Sequence, residues 1–117
     1  LRPKRKAMHV SVSKALELLR HSGQLFTEVF RHGSMTAEIY KPQRVDFQQP
    51  HNRDEMYVVI AGHGEFYNGG NTVQFGPGDY LFVKAGVEHR FLNFSEDFCT
   101  WVFFYGPDGG EEEPPVF

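Results

Sequence analysis

An all-β fold, an antiparallel sandwich or barrel with one short helix near the N-terminus, is predicted by three features of the chain. Short apolar runs rich in β-branched and aromatic residues recur along its length. Glycine-bearing turns separate them, and only one segment carries a helical period. With 117 residues the chain makes one domain, long enough to bury a core without disulfide staples. Twelve phenylalanines point to an enclosed aromatic interior. Charges are mixed rather than blocked, which argues against global disorder. A net charge of −3 gives no basic face for nucleic acid. The single cysteine, Cys99, has no partner for an internal disulfide and reads as a buried, inert thiol in a strand. No apolar stretch is long enough to span a bilayer and no signal-peptide pattern opens the chain, so a cytoplasmic protein is expected.

The elements follow in order. Residues 1–10 read as a flexible arm in which Arg2, Lys4, Arg5 and Lys6 form a short basic run around Pro3. The segment SVSKALELLRHSG is an amphipathic helix. Leu16, Leu18 and Leu19 supply its apolar stripe, Ser11 or Ser13 its cap and Gly23 its stop. Two strands then flank a turn at His32-Gly33-Ser34. Phe26, Glu28 and Phe30 are expected on one face of the first strand, and Leu25, Thr27 and Val29 on the other. RVDFQQ reads as a further strand, and MYVVIA as a strand rich in β-branched residues. Turns at Gly62-His63-Gly64, Asn68-Gly69-Gly70-Asn71 and Gly76-Pro77-Gly78 separate EFY, TVQF and DYLFV. EHRFLNF and FCTWVFFYG supply the last strands. On the final strand Trp101, Phe103 and Tyr105 share one face and Val102 and Phe104 the other, with either face available to the interior. Residues 11–107 form the domain. Residues 108–117 make an acidic, turn-rich tail anchored by Val116 and Phe117.

One polar cluster, QPHNRDE, sits at the entrance to the apolar run MYVVIA. His51 and Glu55 share a face if the backbone is extended, and a bend between them brings them closer still. Downstream, His89 opens a strand after the turn Lys84-Ala85-Gly86, with Phe91 and Asn93 expected on its inward face. Two imidazoles and a carboxylate, if they converge, make a facial ligand set that leaves positions open on a divalent metal. Asp54, next to Glu55, is expected to point away as a surface or turn residue. His9, His21, His32 and His63 lie in termini or turns and read as solvated.

These two stretches resemble the paired motifs of the cupin superfamily. Gln49, His51, Glu55 and Gly62 fall at the H, H, E and G positions of G-x5-H-x-H-x(3,4)-E-x6-G. Gly78, Lys84, Gly86, His89 and Asn93 fit G-x5-P-x-G-x2-H-x3-N in order. Gln49 stands for the first histidine, Lys84 for the proline and Gln43 for the leading glycine. The resemblance implies a jelly-roll β-barrel of the small, single-domain type, a homodimer, and a divalent metal (Fe, Mn, Ni or Zn) held by His51, Glu55 and His89. Gln49 is then a weak fourth ligand, a partner of a metal-bound water, or a lining residue, the water-binding role being preferred.

The function implied is that of a small metal-binding cupin acting on a small organic molecule, as a dioxygenase or as an isomerase or lyase with the metal as Lewis acid. Tyr57, Glu38 and Tyr105 are possible bases. The alternatives are a non-catalytic barrel that binds a small ligand or metal, and a metal-free sugar-modifying barrel in which a histidine works with an acidic or tyrosine partner.

Overall fold

A computed structural model describes residues 8–113. The basic arm at residues 2–6 and the expected anchors Val116 and Phe117 lie outside the described residues. Helix α1 (Val12–Ser22) begins at Ser11, whose side chain accepts from the Lys14 amide, and ends at Gly23 in the left-handed conformation. Eight strands follow: β1 (Phe26–His32), β2 (Met35–Tyr40), β3 (Asp54–Ala61), β4 (Gly64–Asn68), β5 (Asn71–Phe75), β6 (Tyr80–Val83), β7 (His89–Leu92) and β8 (Cys99–Tyr105). They form a five-stranded sheet in the order β1-β2-β8-β3-β6 and a three-stranded sheet in the order β5-β4-β7. All pairings are antiparallel. This is the expected jelly-roll barrel with one short helix.

The helix decides which face of the large sheet points outward. Ala15 and Leu19 pack on Ile39 and Cys99, with Val29, Ile60 and Trp101 beside them. Val102 and Phe104 on β8 therefore face inward, and so do Glu38 and Tyr40 on β2 and Glu55, Tyr57 and Val59 on β3. The inward residues meet Phe66, Phe75 and Phe91 of the small sheet, together with Phe98 from the connection into β8. Cys99 is buried, as its strand context predicted.

Four expectations need correction. RVDFQQ is not a strand: only an isolated bridge joins Gln43 and Val45, and Arg44 sits at φ 65°. Its side chains outcompete a ladder. Buried Asp46 turns inward and accepts from the Tyr40 hydroxyl, the Gln48 amide and side chain, and the Phe91 amide. On β1 a bulge between Glu28 and Phe30 shifts the register. Glu28 therefore opposes Glu38 on the inner face, while Phe30 opposes Ala37 on the outer. Asn93 does not point inward, because β7 ends at Leu92. Asn93 takes φ 49° and its amide donates to Glu65 in the exposed turn. Asp54 is no surface residue. It is buried at the start of β3 and accepts from the amides of Ala85 and Glu111, fastening the tail's first residues to the barrel rim.

Candidate metal centre

Three elements bring the site together. Glu55 is the second residue of β3, and its alternation with Tyr57 and Val59 sends it inward. His89 is the first residue of β7, across the barrel, and alternates inward with Phe91. His51 belongs to no strand. It sits in the bend before β3, where its carbonyl accepts from the Gly86 amide at 2.7 Å. That bond joins the first motif to the turn of the second. Gly86 is left-handed, with φ 81°, which suits a glycine in so tight a turn. The motif glycine Gly62 serves packing instead. A Cβ there would lie 2.5 Å from the Phe98 Cα, so only glycine lets the chain cross that corner.

The His51 Nδ1 lies 3.0 Å from Glu55 Oε1, and the His89 Nε2 lies 2.8 Å from the same oxygen. The bend, rather than strand parity, makes the first of these contacts. Glu55 and His89 are fully buried, whereas the His51 side chain keeps 34% of its exposure. The His89 Nδ1 lies 2.9 Å from the Val87 carbonyl, which can only accept, so Nδ1 carries a hydrogen. In the neutral ring Nε2 then presents a lone pair. It faces a carboxylate oxygen, also an acceptor, off any hydrogen-bond direction. The second Glu55 oxygen is likewise buried without a hydrogen bond. Acceptors aimed at one another at such range need a proton or a cation between them.

A metal ion fits this arrangement. Two atoms bound at about 2.1 Å and at a right angle to one another are roughly 3 Å apart. The separations of 3.0 and 2.8 Å from Glu55 Oε1 to the His51 and His89 nitrogens match that spacing, and the three atoms form one group within 4.8 Å. Burial raises the Glu55 carboxyl, but the two imidazoles outweigh it and hold the group below its usual range. Burial lowers the His89 imidazole, and the Glu55 carboxylate reverses this into a net upward shift. Each partner favours the other's charged form.

Beside His51 opens a cavity of about 500 Å³ that reaches Glu38, Gln48, Val102 and Phe104. The His51 ring meets Phe104 edge-on at 4.9 Å. Glu38 is half-buried in the wall, and its carboxyl is pushed up, first by burial and then by the facing Glu28. Of the possible bases, Glu38 alone lines the cavity. Tyr57 is fully buried beneath the site, its hydroxyl 3.2 Å from Gln48 Oε1. Tyr105 falls on the outward parity of β8 with Trp101 and Phe103. Gln49 is exposed, and its neighbour Gln48 is the glutamine in the cavity wall. Sequence reasoning missed Gln48 and Asp46. Beside their local bonds to Tyr40 and to each other, their partners Tyr57 and Phe91 lie on strands that only the fold brings to them. His9, His21, His32 and His63 are exposed, as expected.

No described helix is long and apolar enough to cross a membrane. The family model of the cupin domain matches residues 37–105. An uncharacterised protein of Streptomyces coelicolor is 33% identical over 85 residues, which cover 71% of this chain and 81% of that protein. KdgF from a Halomonas species has a similar fold, with a TM-score of 0.61 at 20% identity over 68% of this chain and 77% of that one. A Neisseria meningitidis protein superposes with a TM-score of 0.67 at 16% identity, over 84% and 99% of the two chains. The DMSP lyase DddQ from Ruegeria pomeroyi gives a TM-score of 0.59 at 25% identity, covering 69% of this chain and 46% of that one. The domain match spans both motifs and the grouped His51, Glu55 and His89, and the chain belongs to the cupin family.

Proposed function

We propose that the chain holds one divalent transition metal (Fe, Mn, Ni or Zn) through His51, Glu55 and His89, and acts as an isomerase or lyase on a small oxygen-donor molecule bound in the adjoining cavity. Two imidazoles and one carboxylate suit such an ion and leave positions open for a ligand. The ion would supply Lewis-acid polarisation of a ligand oxygen. The observation that carries the reaction class is Glu38, a half-buried carboxylate in the cavity wall beside His51. A base whose carboxyl is shifted upward is suited to accept a proton from the carbon next to a polarised carbonyl. In an isomerisation Glu38 returns that proton at a neighbouring carbon. In an elimination it keeps the proton while the leaving group departs with its electron pair. One structural neighbour, DddQ, is a lyase. The homodimer belongs to the same reading, supported by an apolar hollow on the outer sheet face between Met35, Trp101 and Phe103. Light scattering that finds a monomer at micromolar concentration removes it.

The test of the activity uses zinc-loaded protein and 4-methyl-2-oxopentanoate in deuterium oxide, with wash-in beside the carbonyl followed by proton NMR. Wild type should accelerate exchange, and Glu38→Gln should slow it about 100-fold or more. Exchange that ignores Glu38→Gln would overturn the assignment of the base. Oxygen uptake with the same probe on iron-loaded protein would instead favour the dioxygenase.

A further inference from the structure

Four large apolar side chains are exposed together around one opening of this barrel. Leu25, Phe26, Val45 and Phe47 all line the mouth of the cavity beside His51, with exposures of 39%, 51%, 49% and 77%. Scattered exposed apolar residues need no explanation, whereas a ring of them around one opening marks a binding surface. Val102 and Phe104 continue the apolar wall inward. Neither lysine nor arginine lines the cavity among the described residues, and its one carboxylate is Glu38.

This mouth is built rather than frayed. Val45 and Phe47 ride on residues 43–48, which form no strand. Asp46, between them, is 1% exposed and receives hydrogen bonds from the Tyr40 hydroxyl at 2.7 Å and the Phe91 amide at 2.9 Å. It also binds the Gln48 amide at 3.0 Å and the Gln48 side chain at 2.9 Å. One buried carboxylate thus pins the strap to both sheets and presents the side chains on either side of it to the opening.

We infer that this cavity selects oxygen-donor molecules with an apolar body and no second negative charge, and that Phe47 is the residue setting that preference at the mouth. The inference rests on the metal-binding reading for the end of the ligand that meets His51. The rest of the ligand meets carbon. A second anionic group has no cation to pair with and is repelled by Glu38, so it enters desolvated and unpaired. An aliphatic or aromatic body buries its surface against Phe47, Phe26 and Phe104. Phosphorylated sugars and dicarboxylates are therefore excluded by charge, before shape matters.

A matched pair of 2-oxo acids tests this. 4-Methyl-2-oxopentanoate and 2-oxoglutarate share the metal-seeking end and differ in the body, one ending in methyl groups and the other in a carboxylate. Their affinities for the full chain would be measured by calorimetry with and without zinc. The apolar acid should bind at least tenfold tighter. Phe47→Ser should weaken the apolar acid about fivefold or more and leave 2-oxoglutarate unchanged. Glu38→Gln should narrow the gap by admitting the dianion. A ratio of one or below, or no binding of either acid in either form, overturns the inference. A preference unmoved by Phe47→Ser overturns the role of Phe47. Affinities that ignore zinc count against the metal reading while the ratio still stands, so the two failures are told apart.

Discussion

The barrel interior has two ends that obey one strand alternation and come out opposite. On β7, Phe91 and His89 both point inward two residues apart, and each is 1% exposed. Phe91 sits in a closed aromatic stack, 4.6 Å from the rings of both Phe66 and Phe98, 4.9 Å from Tyr57 and 5.4 Å from Phe75. His89 faces a carboxylate and a second imidazole. On β3, Val59 belongs to the stack and Glu55 to the polar cluster, with Tyr57 between them. Two residues along a strand carry the interior from dense packing to a group of facing acceptors. The packed end supplies stability, and the polar end draws on it: its acceptors are held close together by strands anchored elsewhere.

That division can be broken from either side. Phe91→Ala should cost about 3–5 kcal/mol of folding stability, since it removes a fully buried ring and leaves a cavity among four others. The folded fraction should still bind one metal. His89→Ala should do the reverse, lowering metal affinity about 100-fold or more while costing the metal-free fold less than Phe91→Ala does. Denaturant unfolding and elemental analysis on both variants check this. Metal retained in full by His89→Ala would remove His89 from the site.

Asp46 links the two ends, because its carboxylate reaches Phe91 on one side and the strap carrying Phe47 and Gln48 on the other. Asp46→Ala leaves the buried Phe91 amide and the Tyr40 hydroxyl without their acceptor, at a cost of roughly 2–4 kcal/mol. Unlike Phe91→Ala, it should also loosen the cavity mouth and weaken 4-methyl-2-oxopentanoate. Stability loss with ligand affinity intact would show that the strap does not shape the cavity.

The sequence carried what depends on short-range pattern. Helix α1, the turns at Gly33 and Gly69-Gly70, and the split of β8 into two faces follow from periods and glycines within a few residues. His51, Glu55 and His89 were legible through two spaced motifs. The strap was not legible. RVDFQQ has the composition of a strand, but Asp46 finds a donor 45 residues away, and that contact overrides the local preference. Asp54 was misread for the same reason, since its partners Ala85 and Glu111 arrive from later loops. The inward side of β8 needed the helix to choose it, and Glu38 became a cavity residue only through that choice.

Glu38 offers a smaller contrast, read against pH in the metal-free protein. Burial first, and Glu28 next, raise its carboxyl above the ordinary 4.5. A raised carboxyl contributes stability that is fully present below the ordinary value and is lost as pH rises through the raised one. Glu38→Gln cannot make that transition. Going from pH of about 4 to 8, wild type should therefore lose stability relative to Glu38→Gln, with the change concentrated just above the ordinary glutamate range. Thermal midpoints of the two proteins across this interval give the answer. A gap that does not vary with pH would mean that the cavity leaves Glu38 as well solvated as the unfolded chain does.

The smallest effect is expected at Gln49, which stands where the first motif has a histidine. As a fourth ligand its amide oxygen would be a poor substitute for imidazole, and it would have to displace water from an ion already bound to two imidazoles and a carboxylate. Its position argues against that role. Gln49 is exposed, while Gln48 lies in the cavity wall with its amide fixed between Asp46 and Tyr57. An exposed side chain has little packing to hold it in a coordinating pose, whereas His51 is fastened through its carbonyl to Gly86. Gln49→Ala should therefore keep its metal, with affinity within about threefold of wild type, and should alter at most the binding of a small anion such as azide at an open position. Gln48→Ala should disturb azide binding more, because it also releases the Tyr57 hydroxyl and one arm of the strap. Elemental analysis and azide titration of the two variants separate the neighbours. Loss of metal from Gln49→Ala would show that this exposed amide swings in as a true ligand, and the site would then hold its ion through four side chains instead of three.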